Sequence, residues 1–354
     1  MFNVGFLTGE HLKSMSRRYR LYIRPTLQVA IFVILVSLSV IVQAEDAKSV
    51  ISVGELKDLA VIIESVEKSL LNLKVESEMW METKESLSDP CEPWKRTPVY
   101  VSSIAWFDGR PRGKAKVDVH KQVLKWRDGA APYAESSYSV GFDGTHGRVV
   151  NHTTGHSGKT YYRKEGRILS HAPKRLTTGW SDRFTGLRFS LNFFFNGKDY
   201  TFSDLFRWAE DPNTLVLSSF KFTQEMFQGV QCIKIASKGT QRYQKSQWLD
   251  LKRGFALLGD KYTSILEDGT ERLVSFSKVS KLKEVAPGIW WPMEASMVSR
   301  PYEPGKSYER FIYRASNVVA NDPNFDESVF TVPFPEGYLV DDQVTGRKYT
   351  VGQQ

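Results

Sequence analysis

Val75-Glu76-Ser77-Glu78-Met79-Trp80-Met81-Glu82 sets apolar or small residues at the odd positions and, Trp80 apart, acids at the even ones. A period of two belongs to an extended chain with one face covered and one wetted, so the stretch reads as a half-buried strand. Immediately upstream the period is different. Val50, Val53, Leu56, Leu59, Ala60, Ile63, Val66, Leu70 and Leu73 recur at steps of three and four, with Lys57, Asp58, Glu64, Glu67 and Lys68 between them. That spacing predicts an amphipathic helix over Val50–Leu73, whose continuous apolar stripe needs a sheet or groove to cover it. The change of period therefore sets one long helix against the start of a sheet.

Downstream, the strand signal persists. Val99–Phe107 runs into the turn-rich Asp108-Gly109-Arg110-Pro111-Arg112-Gly113. Lys114–Trp126 alternates Ala115, Val117 and Val119 against Lys114, Lys116, Asp118 and His120. Asp128-Gly129, Asp143-Gly144, Glu165-Gly166, Asn196-Gly197 and Asp268-Gly269 read as turns between strand-like runs. Further strands are expected at Leu215–Thr223, Gly229–Ala236, Gln247–Leu249, Phe255–Asp260, Leu273–Val285, Met293–Val298 and Tyr308–Val319. An antiparallel meander tolerates one solvated face, which accounts for the charged positions along these strands. A second helix is expected over Ser203–Glu210, capped by Ser203 or Thr201, with Leu205, Phe206 and Trp208 on its apolar side. Leu187–Phe195 fits a strand by its apolar odd positions and a helix by Leu187, Leu191, Phe194 and Phe195. There is no internal repeat and no long flexible linker, so residues 45–354 read as one β-rich domain of mainly β (α+β) class.

The amino-terminal region gives an address. Arg17-Arg18-Tyr19-Arg20 precedes an uncharged stretch from Pro25 to Ala44, which ends Val42-Gln43-Ala44 before Glu45-Asp46. Basic run, apolar core and small-residue site form the pattern of a secretory signal peptide over 1–44, with an uncleaved anchor as the alternative. Met15 is a second candidate start, and no cysteine follows the core to accept a lipid. The mature protein is then exported, to a periplasm or cell envelope.

Of the formal charge of +8, residues 1–44 contribute five basic groups and one acid, leaving 43 basic against 39 acidic residues. The basic residues are scattered rather than clustered, which argues against nucleic-acid binding. Cys91 and Cys232 either close one disulfide in an oxidising compartment or stand as two independent thiols. His146, His152 and His156 lie close in sequence near Asp143, but Asn151–Gly158 reads as a hairpin turn that leaves them polar and exposed rather than ligating a metal. The chain has no Gly-x-Ser-x-Gly elbow, no Gly-x-Gly-x-x-Gly and no Walker motif. Asp250, Glu267, Asp268 and Glu284 fall at turns or on solvated faces. The residues thus call for no catalysis and no cofactor.

Three later stretches carry a resemblance. Tyr243–Leu257, with Trp248-Leu249-Asp250 before Lys252-Arg253-Gly254, reads as strand, turn and returning strand. Gly288-Ile289-Trp290-Trp291-Pro292 and Phe330-Thr331-Val332-Pro333-Phe334-Pro335 follow it. In this order, across roughly residues 50–340, the chain resembles the LolA/LolB-like lipoprotein-carrier superfamily. The resemblance implies a large curved antiparallel sheet, an incomplete β-barrel wrapped around a few helices, enclosing an apolar cavity for lipid or lipoprotein acyl chains. The helix 50–73 and the segment 187–210 would then act as lid or plug. Met79, Met81, Trp106, Phe189, Phe193, Phe195, Phe202, Phe206, Trp208, Trp291 and Met293 are the cavity candidates, since thioethers and aromatics adapt to variable chains. The same residues also serve an ordinary filled core. Three readings stand, in this order: a non-enzymatic acyl-chain carrier, an envelope structural or interaction domain with a filled core that meets a protein partner, and last a secreted hydrolase with a dispersed site.

Overall fold

In a computed structural model the residues described are 49–87, 91–109, 113–125, 133–153, 155–157, 160–162, 164–171, 192–195, 198–208, 220–237, 243–300 and 307–353. The chain divides into two units, Met1–Ser49 and Val50–Gln354, and the second holds both α-helices found among the described residues. The export signal expected over 1–44 lies outside the described residues.

The elements are β1 (Ser49–Val50), α1 (Val53–Ser69), β2 (Leu73–Lys84), β3 (Lys95–Phe107), β4 (Ala115–Lys125), β5 (Tyr133–Phe142) and β6 (Gly147–Asn151). Then come β7 (Gly155–Ser157), β8 (Thr160–Tyr162), β9 (Glu165–Leu169), β10 (Asn192–Phe195), β11 (Lys198–Thr201) and α2 (Phe202–Trp208). The carboxy-terminal half supplies β12 (Phe220–Phe227), β13 (Val230–Ser237), β14 (Tyr243–Asp250), β15 (Leu257–Ile265), β16 (Glu271–Ala286) and β17 (Ile289–Ser299). It ends with β18 (Tyr308–Ala320), a 3-10 turn (Glu327–Phe330), β19 (Leu339–Asp342) and β20 (Arg347–Thr350).

Sixteen strands share one curved, open sheet in the order β1, β12 to β18, β2 to β6, β9, β19, β20. The protein is mainly β, as expected. Two meanders meet where β18 pairs antiparallel with β2, from Tyr308 opposite Lys84 to Ala320 opposite Leu73. Register shifts at Trp80/Glu82, Val119/Gln122, Trp248/Leu249 and Tyr262/Thr263 are bulges, which bend a sheet and raise its twist. One parallel pairing, β9 with β19, departs from the expected meander.

The period of two decides which residues go inside. On β2 the odd positions Val75, Met79 and Met81 are buried, and on β3 so are Val99, Val101, Ala105 and Phe107. This inner face joins Leu56, Ala60 and Ile63 of α1 and Leu205 and Phe206 of α2 in one core. The helix starts later than the apolar spacing alone places it, because Ser52 and Glu55 form a capping box. The Glu55 N–H donates to Ser52 Oγ at 3.3 Å, and the Ser52 N–H donates to Glu55 Oε2 at 2.7 Å. Its far end is fastened to the sheet by Asn321, whose Nδ2 donates to the Ser69 carbonyl and whose Oδ1 accepts from the Leu71 N–H, both at 2.7 Å.

The outer face is charged along much of its width and carries two small cores, one of Cys232, Trp248 and Leu258 with Phe227, the other farther along the sheet. There the chain from Phe330 to Tyr338 crosses it, and Val332, Phe334 and Tyr338 pack with Val150 in a small second core. Glu165-Gly166, expected as a turn, is instead the start of β9. The glycine is required by close approach: a Cβ on Gly166 would lie 2.3 Å from the Phe334 ring.

Candidate functional site

The inner face under the helices is the candidate site. Trp291 of β17 is fully buried, and its Nε1 donates to Tyr313 Oη of β18 at 3.4 Å. Burial pushes the Tyr313 phenol up to about 12, so it stays neutral. Ser77 and Ser103 hydroxyls lie 3.4 Å apart on β2 and β3 beside it.

The two helices are joined to each other by polar contacts. Glu67, 8 % exposed on the sheet side of α1, accepts from the Ser203 N–H at 3.2 Å and from the Ser203 hydroxyl. Nearer solvent, Arg207 of α2 donates to Glu64 at 2.5 Å, and Lys68 sits 2.7 Å from the same carboxylate. The helices therefore form one roof over an apolar floor, with Phe206 against Phe222 at 5.3 Å between centroids. Where the last turns of α1 meet the hairpins, Val66, Leu70, Gly254, Ala256, Ile289, Trp290 and Trp291 bound a gap of about 10 Å³. That is room for roughly one water. The hairpins are drawn together there by Gly254, which adopts φ +58 and on which a Cβ would stand 2.2 Å from the Gly288 carbonyl oxygen.

The predicted site residues divide. Met79, Met81, Phe202, Phe206 and Trp291 are buried in the common core, and Met293 packs half-buried against it. Trp106 is not with them. Its neighbours Ala105 and Phe107 point inward, so Trp106 lies half-exposed on the outer face, with Lys116 Nζ 4.9 Å from its ring centroid. Phe193 and Phe195 lie on β10, paired with Tyr200 and Lys198 of β11, and Trp208 ends α2. Phe189 lies outside the described residues. Under the roof, Phe206 and Trp291 are fully buried in the common core, and the gap bounded by Val66 and Trp291 measures about 10 Å³.

Of the cysteine alternatives, Cys232 is a free thiol on β13, fully buried, and donates to the Val230 carbonyl at 3.4 Å. Burial, helped by the nearby Asp250 carboxylate, pushes it up to about 12. Cys91 is exposed.

Asp250 is indeed at a turn but is fully buried. It accepts from the Lys252 N–H at 2.9 Å, the Arg253 N–H at 3.3 Å and the Arg253 guanidinium, so it organises that turn. His152, expected exposed, is half-buried between Ser139 Oγ at 3.1 Å and Tyr338 Oη at 3.3 Å. No group of three or more metal-ligating side chains converges among the described residues.

Sequence reasoning missed the other half of the inner face. Met297 of β17 and Phe311 and Tyr313 of β18 continue the floor that Met79 and Met81 begin. Their odd-position alternation carried that signal. Gln247, Asp260 and Ser277 also share this face, and only the strand register reveals them as neighbours.

No family model matches the chain, and no curated protein matches it. Among solved structures it is similar to a DUF1329 family protein from Desulfovibrio piger, with 16 % identity and a TM-score of 0.35 over 79 % of this chain and 97 % of that one. It is also similar to a putative outer membrane lipoprotein-sorting protein domain from Vibrio parahaemolyticus, with 11 % identity and a TM-score of 0.34 over the same shares. Among the described residues, no helix is long and apolar enough to cross a membrane.

Proposed function

We propose that this is an exported, non-enzymatic protein of the periplasm or cell envelope that binds lipid or lipoprotein acyl chains against the inner face of its open sheet. One observation carries the reading. The inner face is lined by Met79, Met81, Met297, Phe311 and Trp291, and it is roofed by two helices joined to each other by the Arg207–Glu64 ion pair and the Ser203–Glu67 hydrogen bonds. A roof of that kind lifts as a unit, hinged at the Asn321 bonds, and exposes a thioether and aromatic floor suited to a flexible chain. The gap beside Val66 and Trp291 is where an acyl chain would start to part the seam. Burial of each methylene then contributes about 0.8 kcal/mol before ordering costs.

The second reading, an envelope interaction domain with a permanently filled core, draws on the smallness of that gap. Native mass spectrometry of the chain purified from an envelope-containing host separates the two. A co-purifying acyl lipid or acylated peptide is expected. A lipid-free mass that stays unchanged after incubation with acyl lipids would contradict the carrier reading and favour the interaction domain.

A further inference from the structure

The inner face carries a polar island that an apolar core does not explain. Cross-strand partners lie side by side on the same face, so one row runs Ile235, Gln247, Asp260, Ser277, Met297, Phe311 across six strands, β13 to β18. Its first residue and its last two are apolar, and the three between them are polar. Neighbouring strands stand about 4.8 Å apart, so the island spans ~10 Å between the outer two of its three residues.

Two members of the island are internally engaged. Asp260 lies 3.1 Å from Lys245 Nζ, and Ser277 Oγ donates to the Asp260 carbonyl at 3.5 Å. Gln247 is different. It is 3 % exposed, and its side-chain oxygen, Oε1, is buried without a hydrogen-bond partner. A buried carbonyl oxygen without a donor bears its whole desolvation cost, so such a group in a well-formed sheet calls for a reason. Lys245, Asp260 and the Ser277 bond fix the surroundings, and Ile235 and Phe311 bracket the island with apolar surface. A bare acceptor where the polar island meets the apolar Ile235 matches an amphipathic ligand that offers an O–H or N–H beside its chain.

We infer that Gln247 is the head-group anchor of the inner face. It selects acyl lipids that carry a hydroxyl or amide donor next to the chain over acyl lipids that have none. This rests on the acyl-binding reading above and adds the class of head group to it.

The test compares monooleoylglycerol with methyl oleate, which share the same acyl chain and differ in hydroxyl donors. Each competes with a fluorescent acyl probe on the full chain, for the wild type, Gln247→Met and Gln247→Leu. The wild type is expected to prefer monooleoylglycerol by about fivefold to tenfold, one hydrogen bond's worth. Both variants should bind methyl oleate as the wild type does, which shows that they are folded, and should lose the preference. Equal affinity of the wild type for the two lipids, or a preference that survives in both variants, would overturn the anchor while leaving acyl binding intact. Failure of every acyl lipid to bind would overturn the acyl-binding reading and the anchor with it.

Discussion

The two faces of the sheet are made by the same strands and have opposite characters. On β3, Val101, Ala105 and Phe107 go inward to a core shared with the helices, while Tyr100 and Trp106 go outward among charges. Trp80 on the outer face has the Arg96 and Arg314 guanidinium carbons 5.0 and 5.6 Å from its ring centroid, and Arg310 is bound to Glu82. The inner face carries the main buried core, shared with the helices. The outer face is a solvated mosaic with two small buried cores among the described residues, one where residues 330–338 cross it and one of Cys232, Trp248 and Leu258. Aromatic residues alone do not mark a binding surface here. The face they occupy decides what they do.

The sharpest way to break this contrast is to truncate one tryptophan on each face. Trp291→Ala should cost about 3–5 kcal/mol of unfolding free energy, because a fully buried indole leaves a cavity. Trp106→Ala should cost about 1 kcal/mol or less, as expected for a half-exposed position. Chemical denaturation of both variants measures the difference, and equal costs would refute the assignment of faces.

The covered part of the outer face is tested by Gly166→Val. The added side chain meets the Phe334 ring, and overpacking of this kind costs about 1–3 kcal/mol. Ser52→Ala removes one half of the capping box of α1 and should cost about 1 kcal/mol, with the loss confined to the roof in hydrogen exchange.

The His152 contact sharpens the comparison through pH. Burial holds this imidazole below its ordinary 6.5, with Asp118 opposing and Lys116 assisting. The unfolded chain therefore takes up the proton more readily than the folded one. The contribution is present above 6.5 and drains as pH falls through 6.5 toward the lower folded value. Tm should accordingly fall more between about pH 7 and about pH 5 in the wild type than in His152→Gln. The smallest effect concerns the thiols. In native protein a maleimide should label Cys91 and leave Cys232 unmodified, and intact mass reads the count.

Much of this architecture was legible in local pattern. The step of three and four over Leu56, Ala60 and Ile63 and the step of two over Val75, Met79 and Met81 report burial directly, because each follows the geometry of its element. The parity that buried Ala105 and Phe107 also placed Trp106 outside, although its size invited the opposite reading. Glu165-Gly166 looks like a turn, since strand interiors disfavour glycine. Its cause is a phenylalanine 168 positions later, which no local window contains. The same limit hid the island. Gln247, Asp260 and Ser277 become neighbours only through the pairing of β14, β15 and β16, and register is a property of the assembled sheet.

The most direct test of the inner face as the binding surface is photocrosslinking with a diazirine-bearing acyl lipid, followed by peptide mapping. Adducts on Met79, Met81, Met297, Phe311 or Trp291 are predicted, with none on Trp80 or Trp106. Adducts confined to the outer face, or none above the level seen with unfolded protein, would contradict the account.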